Sequence, residues 1–249
     1  MNRYTELNYQ GNRGFASGLL AVVALFLLAA AGAAWVSMGI VANDRWPIRW
    51  LELNGEFQRV SAEQLRASIS PLINESFFTI DMQELRDAAG RISWVSAVRV
   101  QKNWPETVTV TIEEYTPIAH WNRGQLISQN GEPFSVPESD EIQGLPWLRG
   151  PEERLDDVLR YWSEFSELLV PLGLEISSIR LDRRGAWSMD LSNGTHVQLG
   201  RDSTLERLER LLASWDSLMV EQAAPPQDVD LRYTNGFAVM WPQHLDNAK

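Results

Sequence analysis

The most apolar part of the chain lies near its start, where residues 15–42 contain no charged side chain. A helix rises about 1.5 Å per residue, so about 20 residues cross the hydrocarbon core of a bilayer. The pattern therefore predicts one transmembrane helix over residues 15–42, with Trp35 and Trp46 near one membrane interface, where indole rings are favoured. A cleavable signal peptide is the alternative, because small residues at 29–34 offer cleavage sites, but the apolar run is about twice the length of a signal-peptide core.

The charges that flank this segment predict its orientation. Arg3 and Arg13 precede it against a single Glu6, whereas acidic and basic residues balance after it. Basic residues are retained on the cytoplasmic side of a membrane. We therefore expect residues 1–14 to form a cytoplasmic tail and the remainder of the chain to be exported.

Residues 43–116 alternate between strand and helix patterns. A short strand at 50–53 is followed by two predicted helices, whose capping residues are Ser61 and Asp81. Ser61 stands three residues before a Gln, and Asp81 three residues before a Glu. Residues 95–100 and 108–112 then follow the two-residue period of strands. The order predicts a β-α-α-β-β domain with two helices on one face of a three-stranded sheet, although another small α+β arrangement would satisfy the same pattern.

Residues 117–241 predict a mixed β-rich domain with flanking helices, so the fold class is α+β. Amphipathic stretches that begin near residues 155 and 203 predict the helices, and residues 145–151 read as the approach to the first of them. The strand candidates, separated by Gly, Asn or Pro turns, are 118–121, 126–128, 132–135, 176–181, 186–191, 195–199, 229–233 and 237–241. Residues 242–249 form a polar tail.

The last strand candidate, residues 237–241, is apolar at every position. A strand that is open to water on one face should alternate, and an uncovered apolar edge strand promotes aggregation. The strand is therefore either central in its sheet or an edge that another chain covers by adding a strand. The pattern alone leaves both possibilities open.

Composition excludes several kinds of chemistry. The chain has no cysteine, so thiol nucleophiles, thiolate metal sites and disulfides are absent, and its formal net charge of −11 argues against binding nucleic acid. His120, His196 and His244 show no metal-ligand spacing, and Glu113 and Glu114 are strand neighbours that point to opposite faces. We therefore expect no enzymatic activity, no cofactor, no metal and no small-molecule substrate.

The order and spacing of short motifs resemble the FtsQ/DivIB family of bacterial cell-division proteins over nearly the whole chain. The first predicted domain resembles the POTRA module of that family, and the second resembles its β-domain. The motifs that carry the resemblance are Leu53-Asn54-Gly55, residues 77–81, 94–100, Trp104-Pro105, Glu113-Glu114, residues 117–121, 145–148, Gly173-Leu174, Ala186-Trp187, residues 199–201 and 229–233.

This resemblance implies a scaffold of the divisome in the inner membrane. Such a protein crosses the membrane once, holds its POTRA domain (43–116) and β-domain (117–241) in the periplasm and concentrates at the septum. It binds the FtsB–FtsL coiled-coil pair and links early and late division proteins to septal peptidoglycan synthesis. In the family, FtsB adds a strand beside the last strand of the β-domain, which favours the partner-covered edge. POTRA contact residues are not assigned.

The resemblance also implies where the partner binds. It places aromatic contacts at Tyr233 and Trp241, and a basic residue that pairs with a partner carboxylate at Arg232. A second basic contact falls on Arg183 or Arg184. The other implied positions lie in the last turn and strand: Asn235, Gly236, Phe237 and Val239.

A different class of protein also contains POTRA modules. They occur in envelope transport and assembly systems, so a transport protein is the alternative function. The single helical anchor predicted here favours the scaffold.

Overall fold

The computed structural model describes residues 13–41, 46–73, 76–220, 222 and 224–242. The chain divides into two compact units, Met1–Glu114 and Tyr115–Lys249. Residues 1–12 and 243–249, which hold most of the two predicted tails and His244, lie outside the described residues.

Helix α1 spans Arg13–Val41, 29 residues. Its side chains are described over residues 21–37, and all of them are exposed. Among the described residues, no helix has the length and apolarity that a membrane span requires. The transmembrane segment proposed over residues 15–42 stays a prediction.

The remainder of the first unit has the predicted β-α-α-β-β order. It contains β1 (Trp50–Asn54), α2 (Ala62–Ile69), α3 (Met82–Gly90), β2 (Val95–Asn103) and β3 (Thr107–Glu114). Strand β3 is central, parallel to β1 and antiparallel to β2. Both predicted caps are present, because the side chain of Ser61 accepts a hydrogen bond from the amide of Gln64, and Asp81 accepts from Gln83 and Glu84.

The helices of the first unit pack on the sheet through one apolar core. Leu65, Ile69 and Leu85 of the helices and Val108 and Val110 of the central strand are buried together there. The entry to α2 is fixed to the end of β3, since the Glu114 carboxylate accepts hydrogen bonds from the amides of residues 59 and 60 at 2.8 and 3.1 Å.

The second unit is built on one nine-stranded sheet. Its strands are β4 (Pro117–Trp121), β5 (Gln125–Ser128), β6 (Pro133–Phe134), β7 (Trp147–Arg149), β8 (Ile176–Leu181), β9 (Trp187–Leu191), β10 (His196–Gly200), β11 (Asp228–Asp230) and β12 (Ala238–Met240). The spatial order is β12-β11-β10-β9-β8-β7-β4-β5-β6. The mixed β-rich architecture is as the sequence predicts.

Two helices, α4 (Leu155–Leu169) and α5 (Thr204–Met219), cover one face of this sheet. Their apolar side chains join the inward-facing strand residues in a single core, in which Phe165 and Val197 are fully buried. The strand residues that alternate with them point their side chains the other way and form the opposite, outer face of the sheet. One row of it runs across the strands through Ser178, Asp190, His196, Asp228 and Met240.

One element differs from the sequence prediction. Residues 147–149, expected to lead into α4, form strand β7, which is parallel to both β4 and β8 and joins the two halves of the sheet. A three-residue strand between Pro146 and Gly150 is too short to show a period of two, so its partners rather than its own pattern make it a strand.

Candidate functional site: the open edge of the large sheet

Strand β12 is the edge of the nine-stranded sheet. It pairs antiparallel with β11, with Val239 opposite Val229, and no described strand pairs with its other side. The apolar last strand is therefore not central. An edge strand presents a row of unpaired backbone N–H and C=O groups that a further strand can satisfy.

The side chains of the last strand divide between the two faces of the sheet. Phe237 and Val239 pack against the core of their own unit and are half-buried. Ala238 and Met240 lie on the outer face, where Met240 is 60% exposed. The carbonyl of Met240 accepts the amide of Gln227 at 2.8 Å, so residue 240 directs its backbone toward β11. A segment that pairs with β12 would therefore meet the backbone of the alternate residues 237 and 239.

The hairpin before β12 forms a shallow cavity of about 460 Å³, lined by residues 233–238. Tyr233 is 57% exposed at its wall, and Asn235 is exposed at the tip. The guanidinium of Arg210 on α5 donates a hydrogen bond of 2.7 Å to the carbonyl of Thr234 and so ties the hairpin to the helix. Trp241, just beyond the strand, is half-buried.

The turn does not depend on the glycine that the sequence suggests. Gly236 lies outside the left-handed region, and no heavy atom would come within 4 Å of an added Cβ. The glycine that this region requires is Gly200, at the end of β10, whose φ is +82°. An added Cβ there would lie 2.6 Å from Nη1 of Arg207 and 3.3 Å from Cγ of Arg232.

Arg232, the predicted anchor for a partner carboxylate, is already engaged within its own unit. Its Nε and Nη2 donate to the two carboxylate oxygens of Asp230 at 2.8 and 2.6 Å. These hydrogen bonds hold the pKa of Asp230 below its ordinary value. Arg232 remains exposed, so a partner carboxylate could also bind its guanidinium group, whose orientation Asp230 fixes.

Arg183 and Arg184 lie in the turn between β8 and β9, at the same end of the sheet as the hairpin, as the strand directions require. Asp182 orders this turn by accepting the amides of Ala186 and Arg184, each at 2.8 Å, and these bonds, the one from Ala186 foremost, keep its pKa low. Arg183 lines a cavity of about 490 Å³, whereas Arg184 does not.

That second cavity contains two basic residues that sequence reasoning missed. Arg149 of β7 and Arg180 of β8 are register partners, and both line it together with Arg183, Glu152 and Glu153. Like charges directly opposite each other on neighbouring strands are unfavourable. Within the described residues, neither arginine of this pair forms an ion pair. Recognising residues 147–149 as a strand would have revealed the pair.

A Ser–Asp–His cluster on the outer face does not form a nucleophile and base. The hydroxyl of Ser178 donates to one carboxylate oxygen of Asp190, and Nδ1 of His196 lies 2.6 Å from the other. The serine therefore faces the carboxylate, whereas nucleophilic catalysis requires it to face the imidazole. Among the described residues, no three His, Asp or Glu side chains converge as a metal site.

The same cluster predicts a pH dependence of stability. Burial alone would raise the pKa of Asp190, but hydrogen bonds from Ser178 and His196 outweigh it and leave the pKa below its ordinary value. A lowered carboxyl pKa stabilises the fold above the unfolded value of about 4, and this contribution is lost as the pH falls through the folded value. Because Asp190 is half exposed, we expect at most about 1 kcal/mol from it.

The measurement is thermal unfolding of the chain and of its Asp190→Asn variant between about pH 6 and pH 3. The wild type should lose more of its unfolding temperature than the variant as the pH falls. Equal losses in the two proteins would show that Asp190 does not contribute.

Comparison with known proteins agrees with this architecture. Residues 46–115 match the model of the FtsQ-type POTRA domain, and residues 119–232 match that of the C-terminal region of the cell division protein FtsQ/DivIB. The chain is thus a POTRA-containing protein of bacterial cell division. The C-terminal match ends at residue 232, so the hairpin and β12 follow it in the sequence.

Curated relatives extend the match over most of the chain. It is 37% identical to the cell division protein FtsQ of Xanthomonas campestris pv. campestris, with 81% of this chain and 72% of that protein covered. It is 33% identical to FtsQ of Burkholderia pseudomallei, covering 90% and 89%, and 34% identical to FtsQ of Aliivibrio fischeri, covering 80% and 78%. The chain belongs to the FtsQ/DivIB family of cell-division proteins, a family of non-catalytic scaffolds, which favours the scaffold over the transport alternative.

Proposed function

We propose that this protein is a single-pass scaffold of the divisome that captures the FtsB–FtsL pair at the open edge of its large sheet. An extended segment of FtsB adds to β12 as a further antiparallel or parallel strand. The protein thereby links early and late division proteins to septal peptidoglycan synthesis. It sits in the inner membrane with residues 1–14 in the cytoplasm and both folded units in the periplasm, and it concentrates at the septum.

The observation that carries the proposal is the open edge of β12, the side away from β11, with which no described strand pairs. Strand addition supplies affinity through backbone hydrogen bonds, and neighbouring pockets for side chains supply specificity. The 460 Å³ cavity beside the exposed Tyr233 offers such a pocket next to the edge. Aromatic residues and arginines are the side chains that dominate binding energy at interfaces.

The basic turn at Arg183 fits the same partner. Three strand spacings separate the β8–β9 turn from the β11–β12 hairpin, which is about 14 Å. A helix of about 10 residues spans that distance. A partner with a helix that leads into an extended segment could therefore place a carboxylate at Arg183 and a strand at β12 simultaneously.

The exposed side chains of α1 support the anchor. Large apolar residues on all sides of this helix, among them Leu25, Phe26 and Leu28, are exposed. An isolated helix that is apolar all round is typical of a membrane span. The uncharged stretch of residues 15–42 is long enough for that role.

Hydrogen exchange tests the proposed mode of binding directly. Full-length protein in detergent is mixed with the purified periplasmic part of the FtsB–FtsL pair, and backbone exchange is compared with that of the free protein. We expect the amides of residues 237 and 239, which face the open side of β12, to gain protection, because added-strand hydrogen bonds shield them. Binding that leaves the exchange of these amides unchanged would exclude strand addition, and no binding at all would exclude the proposed partner.

The two adjacent arginines provide a matched comparison. We expect Arg183→Glu to weaken binding of the pair about tenfold, and Arg184→Glu by no more than about twofold, because Arg183 lines the cavity and Arg184 does not. The difference should shrink at high salt, as for any exposed charge contact. Calorimetric titration of both variants measures it. Equal affinities of the two variants for the pair would show that its position in the cavity does not make Arg183 a stronger contact than Arg184.

A further inference from the structure

The exposed aromatic residues of the POTRA unit are concentrated at one end. Among the described residues 46–73 and 76–114, the exposed large apolar side chains are Trp46, Trp50, Phe78 and Trp104, with 36%, 64%, 45% and 72% of their surface accessible. Large exposed apolar groups on a soluble surface indicate a contact with another phase or molecule when they are contiguous. We call these four residues the aromatic end.

The strand register and one lysine contact place Trp50, Trp104 and Phe78 at the same end of the unit. Trp50 begins β1 opposite Thr107, and Thr107 is opposite Asn103, so Trp50 and the turn that contains Trp104 lie at the same end of the sheet. Phe78 joins them through Lys102, whose ammonium group lies 3.5 Å from its carbonyl oxygen.

Hydrogen bonds and ring contacts hold Trp46 in this cluster. The carbonyl of Trp46 accepts the amide of Phe77 at 2.9 Å, and its ring meets that of Phe78 edge to face at a centroid distance of 5.6 Å. The ammonium group of Lys102 lies 5.8 Å from the ring centroid of Phe77. Aromatic rings and a basic side chain thus lie side by side at this end of the unit.

The aromatic end is also the end at which the chain enters the domain from α1. Only residues 42–45 separate Val41, the last residue of the helix, from Trp46. Five Cα-to-Cα steps span at most about 18 Å. If α1 crosses the bilayer, the aromatic end is therefore held at or close to the polar interface, which extends about 5–8 Å beyond the hydrocarbon core on each side.

We propose that the aromatic end rests in the headgroup region of the membrane and so orients the POTRA unit on the bilayer. The occupant is the lipid surface: indole rings favour this layer, and Lys102 adds attraction for anionic headgroups. The inference rests on the proposed membrane anchor, and it adds a second contact between the protein and the membrane.

The absence of cysteine from the native chain makes the test direct, since each introduced thiol is unique. Full-length protein is reconstituted in vesicles of phosphatidylethanolamine and phosphatidylglycerol, with a fluorophore attached at Thr79→Cys, Ser96→Cys or Leu28→Cys. Thr79 adjoins Phe78, whereas Ser96 lies near the far end of β2, about 20 Å along the strand from Lys102. Nitroxides on the headgroup or deep in the acyl chains serve as quenchers.

We expect headgroup nitroxides to quench the label at residue 79 several-fold more strongly than the label at residue 96. The paired change Trp50→Ser with Trp104→Ser should reduce quenching at residue 79 to the level at residue 96. Both tryptophans are largely exposed, so this variant keeps its core, and circular dichroism verifies that it folds.

The label at residue 28 separates the two proposals. If deep nitroxides quench it while residues 79 and 96 respond equally, the anchor stands and the aromatic end does not touch lipid. If the paired tryptophan change leaves quenching at residue 79 intact, the aromatic residues are not the cause and the inference fails. If deep nitroxides do not quench the label at residue 28, the anchor itself is wrong, and the inference falls with it.

Discussion

Tyr233→Glu is expected to weaken binding of the FtsB–FtsL pair about 30-fold or more. Tyr233 is exposed beside the open edge and forms one wall of the hairpin cavity, so it can meet a partner without any rearrangement. An aromatic anchor at the centre of an interface commonly contributes about 2 kcal/mol or more, which corresponds to that factor. The carboxylate would add repulsion against a partner that brings acidic groups to Arg232 and Arg183.

The matched control is Val170→Glu. Val170 is exposed in the same unit, directly after α4, and gains the same charge away from the open edge. Calorimetric titration of both variants, with circular dichroism to verify folding, should give near wild-type affinity for the control alone. Normal binding by a folded Tyr233→Glu protein would remove the hairpin from the interface. Trp241→Arg probes the far end of the same edge and should also weaken binding.

Gly200→Ala is expected to destabilise the second unit by about 2 kcal/mol. Alanine in the left-handed region costs about 1 kcal/mol. Its Cβ would displace the guanidinium of Arg207, which donates a hydrogen bond of 2.8 Å to the carbonyl of Leu199, and losing that bond adds about 1 kcal/mol. The new methyl group would also press on Arg232, so the binding edge should be disturbed along with the fold.

Gly236→Ala is the control for this change. Its Cβ would meet open space and its backbone conformation suits an L-residue, so the stability should remain within a few tenths of a kcal/mol of wild type. Denaturant unfolding followed by the far-ultraviolet signal compares the two variants. A Gly200→Ala protein as stable as Gly236→Ala would show that the left-handed conformation at residue 200 is not required.

Local patterns were sufficient to predict most elements of the fold. The β-α-α-β-β order follows from periodicity and capping residues. Both helices of the second unit follow from periodicity, since neither begins with a side-chain cap: Ser203, before α5, is left-handed and makes no capping hydrogen bond. The pairing between distant segments could not be predicted from local patterns, because nothing in the sequence of β10 indicates that it lies parallel to β11. The last two strands also end earlier than predicted, at residues 230 and 240 instead of 233 and 241.

The candidate site, too, was predicted from the sequence only in part. The apolar run at residues 237–241 predicted an unusual strand, but only the sheet order reveals that it is an edge. The resemblance supplied Arg232 without its intramolecular partner Asp230, because an ion pair two residues apart depends on the conformation of the chain. The opposition of Arg149 and Arg180 depends on register, which the sequence does not encode locally.

The parallel pairing of β10 and β11 has a kinetic consequence. The two strands share three residue pairs, and the whole of α5 lies between them in the sequence. A crossover of this length must close before the pairing forms, so contacts of this kind form late in folding and open early under stress. We therefore expect the β11–β12 hairpin to detach as a unit while the rest of the sheet remains intact. A bound partner strand would then stabilise the least stable part of the sheet. The partner could dissociate when the hairpin detaches from β10, with the partner strand still paired to β12.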